Sequence, residues 1–72
     1  MDPLIFKTNI KDSKKLKQLK PLFNTHCNIV HWSIDLEDID KVLRIVPNNS
    51  LKETEVISLI ENEGFYCEVL TD

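Results

Sequence analysis

The histidines and cysteines of this 72-residue chain, His26, Cys27, His31 and Cys67, have the chemistry to ligate a soft metal or attack an electrophile. His26 and Cys27 are adjacent, and His31 follows Cys27 by four residues, so an imidazole–thiolate set for zinc or copper is the first chemistry to weigh. Three ligands fall one short of a closed zinc site, and the neighbouring sequence supplies no fourth. As a catalytic pair, Cys27 beside His26 is a chain-neighbour pair rather than a nucleophile and base oriented through space. With a single glycine, the chain also lacks a glycine-rich phosphate loop. The expectation is a protein that is not an enzyme and has no cofactor.

Charge is the second feature that could do work. The net charge is −3, but residues 1–23 carry six lysines against Asp2 and Asp12, whereas residues 24–72 carry three basic and ten acidic residues. The first third is thus +4 and the remainder −7. A globally acidic chain with few aromatic residues does not fit nucleic-acid binding, which depends on neutralising phosphates. A local basic face can still steer an acidic protein partner. Lys11, Lys14, Lys15, Lys17 and Lys20 supply more cations near one element than solubility demands.

These side chains must be positioned by a small frame. At this length folding buries only about 60% of the surface the unfolded chain exposes, which leaves little material for a deep active-site cavity. The expectation is one domain spanning residues 1–72. The longest apolar run is Leu4 to Phe6, far short of a membrane span, and no secretory signal pattern is present. No membrane insertion is expected, and the cytoplasm is the default location.

Leu4, Phe6 and Thr8 alternate with Ile5, Lys7 and Asn9, which predicts a first strand over residues 4–9. From Ser13 to Phe23, Leu16, Leu19, Leu22 and Phe23 recur at helical spacing, with Asp12 or Ser13 as cap and Pro21 in the last turn. Asn24 to Asn28 reads as a polar connection. Val30, Trp32, Ile34 and Leu36 alternate with His31, Ser33 and Asp35, predicting a second strand in which Trp32 is buried and His31 faces water. An acidic turn leads to a third strand, Val42 to Val46, with Leu43 and Ile45 inward. Ser50 with Glu53 forms a capping box before a second helix, and Gly64 supplies its left-handed stop. Phe65, Cys67 and Val69 then alternate with Tyr66, Glu68 and Leu70 as a fourth strand, which makes Cys67 a small core hydrophobe.

The order strand, helix, strand, strand, helix, strand predicts an α+β, ferredoxin-like βαββαβ sandwich: a four-stranded antiparallel sheet, order 4-1-3-2, with two helices on one face. In that topology the end of the first strand, the middle hairpin and the start of the fourth strand share one pole, the top. His26, Cys27 and Pro47 lie at the bottom. Strands two and four are opposite edges, three spacings of about 4.8 Å apart, which exceeds the roughly 7 Å that a disulfide tolerates between α-carbons. Both cysteines are expected to be free thiols.

The segment from Thr8 to Leu16, which leaves a strand and opens a helix, resembles the metal loop of heavy-metal-associated domains, the copper-chaperone and transport-ATPase modules. Trp32 to Leu36 and Glu63-Gly64-Phe65 also fit that family, and the resemblance spans the whole chain. The family loop is Met-x-Cys-x-x-Cys. Aligned with it, Ile10 stands at the buried methionine, Asp12 at the first metal cysteine and Lys15 at the second. Monovalent copper takes soft thiolates; one hard carboxylate and one ammonium do not replace them. Asp12 instead suits a helix cap. In this family the lysines of the first helix dock acidic partner domains, which the resemblance carries to Lys11, Lys14, Lys15 and Lys17.

The leading expectation is a non-catalytic domain of this type without the usual metal site, which binds an acidic protein surface through its lysine-rich first helix. The alternative is a residual copper or zinc carrier using His26 and Cys27, with His31. The chain is expected to be a monomer or a weak homodimer joined through its edge strands.

Overall fold

The computed structural model describes residues 3–48 and 51–70. Its elements run β1 (Leu4–Thr8), α1 (Ser13–Thr25), β2 (Ile29–Asp35), β3 (Val42–Pro47), α2 (Glu53–Asn62) and β4 (Cys67–Val69). The strands form one antiparallel sheet ordered β2-β3-β1-β4, which is the expected 4-1-3-2 order.

The period-2 pattern of β1 sends Phe6 and Thr8 inward, both nearly inaccessible to water. Phe6 pairs with Leu43 of β3 on one side and Val69 of β4 on the other, so β1 is the spine of the core. Leu43 and Ile45 from β3, Leu19 and Phe23 from α1, and Val56 and Ile60 from α2 close over it. Burying such side chains is worth roughly 1.5–3 kcal/mol each, which is how a chain this short offsets its conformational entropy.

Both helices follow from local rules. Asp12, in extended conformation at φ −155°, caps α1, its Oδ1 accepting the Lys15 amide at 2.9 Å. The helix continues through Pro21 and takes in Asn24 and Thr25, two residues beyond the expected end. Thr25 adds a hydrogen bond from Oγ1 back to the Pro21 carbonyl at 2.7 Å. At the end of α2, Gly64 adopts φ +88°. Its amide reaches the Glu61 carbonyl at 2.9 Å and the Phe65 amide reaches Ile60 at 3.3 Å, the paired bonds of a Schellman stop.

Four expectations are corrected. Val30 is not on the buried face of β2: it is 64% exposed, while Ile29 is buried. The β2–β3 register shifts between Ile29, opposite Pro47, and His31, opposite Val46, so Val30 is the extra residue of a bulge and the pleat changes face there. Trp32 is only half-buried: its ring packs on Phe23 at a centroid distance of 5.1 Å while its Nε1 donates to Asn24 Oδ1 at 3.0 Å. It lids the core rather than filling it. Helix α2 is capped at Lys52 with no side-chain bond, which makes Glu53 the first helical residue rather than the third of a capping box; Ser50 lies outside the described residues. Strand β4 is confined to Cys67–Val69, because Phe65 serves the helix stop and the Tyr66 amide turns to Asn9 Oδ1 at 2.8 Å.

Candidate functional site

The top pole is built by β1, which ends at Thr8 and delivers the chain to the start of α1. Thr8, the inward polar residue of an otherwise apolar strand face, donates from Oγ1 to the Lys41 carbonyl at 2.7 Å and accepts the Ile10 amide at 3.3 Å. Its own amide donates to the Asp40 carbonyl at 3.1 Å. The loop is therefore tied to the β2–β3 hairpin by two hydrogen bonds and braced internally by a third, and Lys7 adds an ion pair with Asp40 at 3.6 Å. Lys41 holds φ +46° there, with its Nζ on the Leu36 carbonyl. Asn9 ties the loop to the segment entering β4.

Ile10 is fully buried and anchors the loop from below. Above it, Lys11, Asp12, Lys14, Lys15 and Lys17 are all exposed. The structure thus brings the predicted lysines together around the start of α1, with the Asp12 carboxylate spent on the Lys15 backbone amide. An oxygen that already accepts a helix amide, beside ammonium groups, is a poor donor set for a soft cation. The fit to a copper ion fails at this loop. The sequence places Thr8 and Asn9 in this loop but does not show that they and Lys41 brace it; the one signal is a threonine on the buried phase of β1.

At the bottom pole, His26 is the C-cap of α1. Its Nδ1 accepts the Asn28 amide at 3.1 Å, which puts the ring proton of the neutral imidazole on Nε2. Its carbonyl accepts the Ile29 amide at 3.2 Å, and the Asn28 carbonyl takes the Asn48 amide at 2.8 Å, so the turn into β2 is bonded both within itself and to the end of β3. Cys27 is an exposed free thiol in that turn. His31 stands on the exposed face of β2, beyond the bulge. Among the described residues, no three His, Cys, Asp or Glu side chains gather as metal ligands do. A shallow groove is lined by His26 together with Thr54, Glu55, Ser58, Leu59 and Asn62 of α2.

The second thiol, Cys67, sits opposite Thr8 in the sheet and is buried and free. Burial, with lesser contributions from Glu61 and Glu68, pushes it up to about 12 from its ordinary value near 9. It remains a protonated core group at physiological pH. Nearby, the Tyr66 hydroxyl is also raised, chiefly by its hydrogen bond with Glu68.

A two-helix, four-stranded antiparallel sandwich in this order is the ferredoxin-like βαββαβ fold. Solved structures with the same fold include the yeast copper transporter domain Ccc2a in its apo and Cu(I)-loaded states, with TM-scores of 0.81 and 0.82 at 18% identity. The complex Atx1–Cu(I)–Ccc2a also matches, with a TM-score of 0.83 and 18% identity. Each likeness covers 100% of this chain and 99% of the other. No family model matches the chain, and no curated protein does. No helix among the described residues is long and apolar enough to cross a membrane.

Proposed function

We propose that residues 1–72 form one non-catalytic, cytoplasmic domain that has given up the metal site of its fold and acts by docking an acidic protein surface. Lys11, Lys14, Lys15 and Lys17 make the contact. The observation that carries this reading is the start of α1, where an aspartate cap engaged with the helix backbone stands among exposed lysines and no thiol is present. Capping leaves the loop satisfied without an ion, and its ties to Thr8, Lys41 and Asn9 pre-organise it, so little ordering entropy opposes docking. The Atx1–Cu(I)–Ccc2a complex gives this fold a precedent for protein contact. Exposed charges of this kind set on-rate and specificity more than affinity, which suits a transient module.

The test has two arms. Polyglutamate titrated into 15N-labelled protein should shift the amides of residues 11–17, and Lys14→Glu with Lys15→Glu should abolish the shifts; shifts that survive the substitutions end the proposal. Titration of the reduced protein with monovalent copper should give no site tighter than micromolar. A tight site lost in Cys27→Ser would establish instead a carrier that binds through His26 and Cys27.

A further inference from the structure

Charge in the helix layer is sorted by helix. Helix α1 carries Lys14, Lys15, Lys17 and Lys20 and no acid, whereas α2 carries Glu53, Glu55 and Glu61 and no cation, with Glu63 as its C-cap. All of these side chains are exposed. None of them forms an ion pair among the described residues, where the recorded pair is Lys7 with Asp40.

The placement also runs against helix electrostatics. A helix N-terminus favours anions and a C-terminus favours cations. Helix α1 has no acid in its first turn and instead presents Lys14 and Lys15 there, while the end of α2 presents Glu61 and Glu63 and no base. Helix α1 starts where β1 ends, and α2 ends where the chain turns back to Asn9, so both mismatched ends lie at the top pole. Apart from the Asp12 carboxylate that caps α1, the exposed charges at these two ends are opposed to their own helix dipoles and gain no stability from them.

Each of these ends is the electrostatic complement of the other. Because the helices run antiparallel on one face, a two-fold axis parallel to them and midway between them places α1 of one copy over α2 of the next, with both top ends together. The chain measures 29 × 29 × 18 Å, and a face 29 Å on each side is of the order of the ~800 Å² per partner that a standard interface buries. The acidic β2–β3 hairpin is a weaker complement, because Asp35 accepts the Glu37 amide, Asp38 accepts the Asp40 amide and Asp40 pairs with Lys7.

We propose that the acidic partner of the lysine face is a second copy of this chain, the two copies pairing helix layer to helix layer so that Lys14 and Lys17 of each meet Glu61 and Glu63 of the other. This rests on the docking reading above and names its partner. Sedimentation equilibrium tests it, with Lys14→Glu/Lys17→Glu and Glu61→Lys/Glu63→Lys variants. Wild type should dimerise at low salt and dissociate at least about tenfold more readily once screening shortens the Debye length to ~5 Å or less. Each variant alone should be monomeric, and an equimolar mixture of the two should restore the dimer, because every contact then has opposite signs again. Both sets of swaps improve the match to the helix dipoles, so unchanged or higher melting temperatures exclude misfolding as the cause.

A monomeric wild type at low salt, or a mixture that stays monomeric, overturns the inference. So does a dimer that persists in both variants, which would place the interface at an edge strand. The docking reading is judged separately by the polyglutamate titration: shifts at residues 11–17 in a monomeric wild type would overturn the second copy as partner while leaving that reading standing.

Discussion

The two poles of the molecule solve opposite problems with one helix between them. At the top, α1 begins in solvent and is held by hydrogen bonds: the Asp12 carboxylate on Lys15, Thr8 on the hairpin, and Asn9 on Tyr66. At the bottom, α1 ends against an aromatic lid, with Phe23 buried under Trp32 and Trp32 tied to Asn24. The cysteines divide the same way: top Cys67 is buried and chemically silent, while bottom Cys27 is exposed. The pole with the charges has no available thiol, and the pole with the available thiol has none of the lysines of α1. The proposed docking and the alternative metal reading therefore call for substitutions at opposite ends of the molecule.

The strongest test of that contrast is at the bottom. Phe23→Ala removes a ring that is 1% exposed and undermines Trp32, at a cost of about 3–5 kcal/mol for an aromatic truncation in a core. That is a large share of the total stability of a small domain. Denaturant unfolding followed by Trp32 fluorescence should show a greatly lowered midpoint or a chain unfolded from the outset. A loss below about 1 kcal/mol, the scale of an ordinary surface change, would mean that the lid does not hold this pole.

At the top the corresponding loss should be smaller, because an exposed cap is worth less than a buried ring. Asp12→Ala should cost about 1 kcal/mol and Asp12→Asn only a few tenths, since asparagine retains the acceptor for the Lys15 amide. Thermal melts of both variants check this. If alanine were neutral, the carboxylate would be free for another role and the capping argument at the centre of the proposed function would weaken.

Much of this contrast is legible in the sequence because it rests on periodicity and local capping. Phe6, Leu43 and Ile45 declare their inward phase by alternation, Leu16, Leu19 and Phe23 by helical spacing, and Gly64 by the conformation only glycine adopts cheaply. The bulge at Val30 is not legible, because Val30, Trp32, Ile34 and Leu36 make an unbroken alternating pattern. Only pairing with β3 reveals that Ile29 takes the core position and Val30 is extruded. The Ser50/Glu53 pattern misleads because the capping motif is short, whereas the start of α2 follows the burial of Leu51 and Val56. At the candidate site, the Asp12 cap is written in the local sequence. The bracing by Thr8, Asn9 and Lys41 depends on contacts across up to 57 residues of chain. The sorting of charge between the helices is visible in sequence, but its meaning needs the topology that lays the two side by side.

The two thiols give the finest comparison. Cys67 titrates near 12 in the folded chain against about 9 when exposed, so between those values the native state holds a proton that the unfolded state has released. With fewer protons bound in the unfolded state, unfolding free energy falls as pH rises through this window, and the stabilisation is fully present below about pH 9. The loss should exceed about 1 kcal/mol by pH 10, from the linkage of one such group. Cys67→Ala should flatten that segment of the stability profile, whatever it costs at neutral pH, whereas Cys27→Ser should leave both the slope and the neutral stability within about 0.5 kcal/mol. Iodoacetamide at pH 8 should alkylate Cys27 at the rate of an accessible thiol and Cys67 at least roughly a hundredfold more slowly, since burial suppresses both thiolate and access. Equal alkylation rates in the native protein would show that the top pole opens far more readily than its hydrogen bonds imply.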